Sequence, residues 1–281
     1  MKNKKFLTDS LIFAVLTIFS TFIIIPLVWL LGNAMKSDKD IRVNMAKLLP
    51  SLGEWQFENF PVAWERGSIG QTFMNSLIIT TCSVLLILVV SYLTAYALSR
   101  IKFTGRNILM ATFVSMMMVP MSQVIMIPQY RLISLLNLVN TYQGMILLYL
   151  NGGIAFSVFL LTSFLKKIPI EIDEAATIDG CNRMQIIIKV LLPLSKPGLA
   201  TVIIFQSMNI WNDYFTPLIY LHDPDMKTIT LGLKNFMGLW GLVDYNRLFA
   251  AIAMITFPVV IVYLVFQKQF ISGLTSGSVK A

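Results

Sequence analysis

The chain is poor in the groups that soluble enzymes use. Its 281 residues include one histidine and two cysteines, and only 13% of them are charged. A lone histidine, His222, cannot build a metal site by itself. No nucleophile–His–acid set can be assembled, and no GxxxxGK[ST] phosphate loop is present. An energy source must therefore come from another chain. Cys82 falls in an apolar run and Cys181 in a polar loop, so no disulfide is expected. No basic patch interleaved with aromatics points to nucleic acid.

What is abundant is apolar. The chain is 56% hydrophobic, with a mean hydropathy of +0.73. That excess excludes an ordinary soluble domain and marks an integral membrane protein. A spanning helix needs about 20 apolar residues. Six stretches qualify, at about 11–31, 72–99, 107–128, 142–165, 197–221 and 249–270. They are too long for barrel strands. The expected fold is all-α: six transmembrane helices forming one domain over 1–281, with an ordered loop at 166–196. The first run follows Lys2, Lys4 and Lys5 but is longer than a signal-peptide core, so it reads as a retained span.

Basic residues crowd one set of loops. Arg100, Lys102 and Arg106 occupy a short connection without an acid, whereas the bases of the 32–71 segment are balanced by Asp38, Asp40, Glu54, Glu58 and Glu65. The positive-inside bias places both termini and the 166–196 loop in the cytoplasm. The 32–71 segment carries Trp55, Phe57, Phe60 and Trp64, which suit an interfacial cap or a docking surface.

The 166–196 loop is the most informative part of the chain. Pro169 blocks a preceding helix, and Asp173 and Glu174 sit where the macrodipole favours acids. Gly180 fits a left-handed C′ position, and Asn182 with Gln185 has capping-box spacing. Ile186, Ile187, Val190, Leu191 and Leu192 give a second helix an apolar side, which Pro193 is expected to end. Ala175 and Ala176 leave a small-residue surface beside Glu174.

Inside the fifth span, Gln206, Asn209 and Asp213 share a helical face, and Asp213 is the one acid that no loop accommodates. With Trp211, Asn212 and Tyr214 they offer amides and aromatic surface. A neutral sugar needs both, but the same groups also serve as interhelical glue. Asn151-Gly152-Gly153 fits a cavity-lining turn or, more simply, close helix packing. Met116, Met117, Met118, Met121 and Met126 cluster around Pro120, as core filler or as a surface that repacks.

Glu174-Ala175-Ala176, Gly180, Val190, Leu192 and Pro193 reproduce the Glu-Ala-Ala signature of bacterial ABC-importer membrane subunits, with Val190 for the usual Ile. Tyr96–Arg100, Trp211–Leu218, Thr230–Leu233 and the tail after Phe270 narrow the resemblance to the MalG-type permeases of carbohydrate importers. That resemblance implies a multi-pass protein of the bacterial cytoplasmic membrane, not itself an enzyme. Its implied partners are a second, MalF-type permease, two cytoplasmic ATPases that bind ATP and Mg, an extracytoplasmic sugar-binding protein and membrane lipid. Glu174, Ala175, Ala176, Asp179, Gly180 and Pro193 would form the ATPase-coupling element. Gly273, Leu274, Gly277 and Lys280 would lie in a tail that leaves the bundle and touches the ATPases. The rival reading is a self-contained secondary transporter, which would want internal repeats and midplane ionisable residues.

Overall fold

The computed structural model describes residues 2–118, 125–238 and 243–278; the side chains of 2–9 and 262–278 lie outside that description. The regular elements among the described residues are helices, apart from an isolated bridge between Met237 and Val243. The long elements are α1 (Lys2–Ala34), α4 (Ile69–Arg100), α7 (Tyr142–Leu165), α10 (Lys196–Asn212) and α13 (Tyr245–Ser278). Between them lie α2 (Asp38–Asn44), α3 (Asn59–Arg66), α5 (Arg106–Met118), α6 (Met126–Leu135), α8 (Glu171–Ile178), α9 (Arg183–Leu194), α11 (Phe215–Tyr220) and α12 (Ile229–Gly232).

Among the described residues, three helices are long and apolar enough to cross a membrane: Ser10–Ala34, Ile69–Arg100 and Tyr142–Leu165. Arg183–Leu194 and Lys196–Asn212 pass only together, bent by 77°. The third expected span, 107–128, is α5 as far as Met118, and 119–124 lie outside the described residues. The fifth expected span, 197–221, is interrupted. Helix α10 ends at Asn212, Asp213 is extended with ψ 126°, and α11 restarts at Phe215. Asp213 Oδ1 accepts the N–H groups of Phe215 (2.9 Å) and Thr216 (3.2 Å), so its carboxylate stabilises a helix restart where uninterrupted helix was expected.

The chain divides into two compact units, residues 1–73 with 232–261 and residues 74–231 with 262–281. In the first, Ala34, Ala63, Ile69, Phe236, Ala250 and Ala251 form the core. Its 35–60 segment is held by polar groups. Lys36 is fully buried, and its Nζ donates to Asn33 Oδ1 (2.9 Å) and to the carbonyls of Asn44 and Lys47 (2.7 Å each). That satisfies all three ammonium donors. Burial pushes the Lys36 pKa down, against the pull of Asp40. Asn59 Nδ2 donates to the carbonyls of Ala34 and Lys36. Trp55, Phe57 and Trp64 stay largely exposed.

In the second unit, α4, α7 and α10 bury Ile79, Ile87, Leu161, Leu165 and Val202, and the core continues into the 166–196 loop through Ala176, Ile186, Ile187 and Leu191. Helix α7 runs unbroken through Asn151–Gly153, so the packing reading of that triplet holds and no turn forms. A Cβ on Gly153 would lie 2.7 Å from Ile87 Cδ1 and 2.9 Å from Gln206 Oε1, whereas one on Gly152 meets nothing within 4 Å.

Candidate functional site

The 166–196 loop folds as its sequence predicts in its first half. Glu171, Asp173 and Glu174 occupy the first turn of α8. The chain leaves that helix through Gly180 at φ +83°, with Gly180 N–H donating to Thr177 O and Cys181 N–H to Ala176 O. Only a residue without Cβ adopts this conformation at no cost. Asn182 Oδ1 then accepts Gln185 N–H (2.9 Å) and Gln185 Oε1 accepts Asn182 N–H (2.8 Å), a reciprocal capping box.

The second half differs. Pro193 does not end the helix. Residues Ile186–Leu191 form a π-helical turn, Leu192–Leu194 carries Pro193 in its first positions, and the break falls at Ser195. The wider turn and the restart at Leu192 absorb the donor that proline lacks. Ser195 is fixed by its Oγ, which lies 2.7 Å from Leu191 O and 3.1 Å from Tyr92 Oη.

Glu174, Ala175, Asp179 and Gly180 are exposed together on one side of the loop. Ala176, expected on that surface, instead packs inward and is 8% exposed. Ile178 is 86% exposed beside Ala175, an apolar side chain that the motif reading missed because it lies outside the signature positions. The loop is anchored by a pair that sequence reasoning also missed. Arg100, at the end of α4, places Nε 3.0 Å from Asp173 Oδ2 and donates from Nη2 to Ile168 O at 2.9 Å. Burial pushes the Asp173 carboxyl above the usual carboxylate range, while Arg100 pulls it down.

The expected tail is different in form. The α13 backbone stays helical through Ser278, so Gly273, Leu274 and Gly277 lie on a helix; Lys280 lies outside the described residues.

A second site is a cleft of about 760 Å³ between α5, α6, α7, α10 and α11. Gln206, Asn209 and Asp213 all line it, joined by Gln129, Tyr149 and Asn151, among others. Gln206 is committed to packing, because its Nε2 donates to Gly153 O and Ser157 Oγ, both at 3.1 Å. Asp213 is committed as well: besides the two backbone amides, its Oδ2 accepts from Tyr149 Oη at 3.1 Å. Asn209 is exposed to the cleft. Trp211, Asn212 and Tyr214 are not part of its lining, and Asn212 Nδ2 turns back to Met208 O at 2.9 Å. Met116, Met117 and Met126 contribute to the wall, whereas Met118 is 82% exposed and Met121 lies outside the described residues.

Residues 87–276 match the family of binding-protein-dependent transport system inner membrane components. The chain belongs to that family. The match takes in the loop, its Arg100 anchor and the cleft. Among similar proteins, the diacetylchitobiose uptake system permease protein of Streptomyces coelicolor is 32% identical over 94% of this chain and 87% of its own length. The melibiose/raffinose/stachyose import permease protein of Bacillus subtilis is 35% identical over 91% of both chains. The structure also matches a chain of a solved bacterial ABC transporter that imports the acidic polysaccharide alginate, with TM-score 0.81, 24% identity and 93% and 96% of the two chains covered. That likeness establishes the permease fold. As an inner-membrane component of a transport system, the chain is a permease and not an enzyme.

Proposed function

We propose that this permease is the MalG-type subunit of an ATP-driven importer of sugars or oligosaccharides. It forms the pathway with a second, MalF-type permease and is driven through the 166–196 loop by two cytoplasmic ATPases that bind ATP and Mg. The similar proteins support the substrate class: their names specify diacetylchitobiose, melibiose with raffinose and stachyose, and arabinooligosaccharides. A solved relative is held in complex with a pentasaccharide-bound periplasmic protein, in keeping with an external binding protein here.

The observation that carries the coupling role is the loop itself. It turns through Gly180, is capped by Asn182 and Gln185, is pinned to α4 by Arg100, and yet presents Glu174, Ala175, Ile178, Asp179 and Gly180 outward. A loop that only rested on lipid headgroups would not need an acidic and small-residue face. The Lys/Arg bias supports a cytoplasmic position for this loop and both termini, which would leave Gly273, Leu274 and Gly277 of α13, and Lys280 beyond it in sequence, on the ATPase side. The cleft residues Gln206, Asn209 and Asp213 would form this subunit's part of the pathway, with Trp211, Asn212 and Tyr214 supporting the break beside it. A secondary transporter has less support, because Asp213 spends both oxygens on hydrogen bonds within the chain.

The test is purification of the tagged chain in mild detergent. An ATPase and a second permease should co-purify, and a neutral oligosaccharide with the binding protein should stimulate ATP hydrolysis. Recovery of the chain alone, transporting a sugar in liposomes without ATP, would overturn the reading.

A further inference from the structure

We propose that this chain itself carries a subsite for uncharged glycans in the cleft, built on the amides of Gln129, Asn151 and Asn209. The inference rests on the importer reading and narrows its substrate class.

The polar groups around the cleft fall into two sets. Gln206, Asp213 and Tyr149 are spent on partners within the chain. Gln129, Asn151 and Asn209 come from three different helices, and no side-chain hydrogen bond holds any of them among the described residues. Tyr220 borders the same cleft, but its hydroxyl is sealed from it and has no hydrogen-bond partner among the described residues. Three open amides that converge on one cleft are the few placed polar groups by which a small-molecule site fixes its ligand. Each amide both donates and accepts, as a sugar hydroxyl does. Phe156 and Phe215 in the wall supply flat apolar area for the C–H faces of a ring.

Charge fixes the class. No lysine or arginine lines the cleft among the described residues, and residues 119–124 contain none in sequence. A uronate glycan would bring carboxylates into a cleft that offers no cation and already contains the Asp213 carboxylate. Unpaired charges in such surroundings are costly. A cationic sugar gains little, because Asp213 is already saturated with donors. Neutral polyhydroxylated solutes are what remains, and the volume lies in the range of small-molecule sites, roughly 300–1,000 Å³.

The experiment uses the complete importer with its binding protein in proteoliposomes. The probes are radiolabelled raffinose, arabinotriose, diacetylchitobiose and trigalacturonate, and the binding protein's affinity for each is measured separately. At least one neutral probe is expected to be carried and trigalacturonate is not. Asn209→Leu and Gln129→Leu should each lower uptake of the neutral probe about tenfold, the loss of one or two hydrogen bonds. Assembly, basal ATPase activity and the binding protein's affinity should not change, and Asn209→Gln should recover most of the rate. A merely structural role would lower assembly or basal hydrolysis along with uptake. Wild-type uptake by both leucine variants, or trigalacturonate carried as fast as the neutral probes at equal occupancy of the binding protein, overturns the proposal. If no carbohydrate of either charge is carried or stimulates hydrolysis, the importer reading itself falls and the subsite with it; the first two results leave that reading standing.

Discussion

Arg100 and Asp173, far apart in sequence, form an ion pair, Nε to Oδ2 at 3.0 Å, with side chains only 7% and 14% exposed. One ends α4 and the other lies in the first turn of α8, so the pair fixes the angle at which the loop leaves the bundle. Replacing Arg100 by Gln strands a desolvated carboxylate, and removal of one partner of a buried pair costs about 3–5 kcal/mol at the upper end. The expected result is faster proteolysis within 166–196 and loss of transport. Arg100→Gln combined with Asp173→Asn should recover part of both, because no unpaired charge remains. Equal protease resistance in the Arg100→Gln variant would show that the pair does not anchor the loop.

The same carboxyl gives a pH dependence. Burial raises the Asp173 pKa. Between its ordinary value of about 3.9 and the raised folded value, the folded loop binds more protons than the unfolded one. Stability therefore falls as pH rises through that window, and the full penalty is present above it. Asp173→Asn should remove this slope. Thermal unfolding of wild type and variant between pH 4 and 7 reads it directly; parallel curves would argue against a desolvated acid here.

Gly180 separates backbone strain from crowding. Its φ of +83° is unfavourable for L-residues, but a Cβ there meets nothing within 4 Å. Gly180→Val should cost the loop roughly 1–2 kcal/mol and lower coupled ATPase activity. Gly180→Asn should be milder, since Asn tolerates the left-handed region. Equal activity of the two variants would mean that the turn relaxes without consequence.

Gly153 and Gly152 make the opposite comparison. Gly153→Ala drives a methyl group against Ile87 and Gln206 and should cost about 1–3 kcal/mol, the usual range for overpacking. Gly152→Ala faces open space and should leave the melting temperature unchanged or slightly raised. Thermal melts of the two purified variants decide it.

What the sequence made legible follows from which interactions are local. Gly180, Asn182 and Gln185 are read within a few residues of one another, and the structure places each as expected. The apolar lengths of α1, α4 and α7 are also local, and those helices form. The Asp213 break was hidden because its cause is a carboxylate bonding two residues ahead, which composition averages away. The inward turn of Ala176 and the Arg100 pair depend on packing between segments distant in sequence. Gln129, Tyr149 and Tyr220 escaped notice in the cleft for the same reason: periodicity within one helix cannot reveal which other helices complete a wall.

The most direct test of the central claim is site-specific cross-linking from the loop. In a background lacking Cys82 and Cys181, single cysteines are placed at Ala175, which is exposed, and at Ala176, which packs inward. Assembled importer in membranes is treated with a short thiol-reactive cross-linker. The account predicts an adduct between position 175 and the ATPase subunit, at least several times stronger than at position 176, together with loss of sugar-stimulated hydrolysis. An active, fully assembled complex in which position 175 reacts only with added soluble thiol reagent, and never with the ATPase, would contradict the proposal that this loop couples ATP hydrolysis to transport.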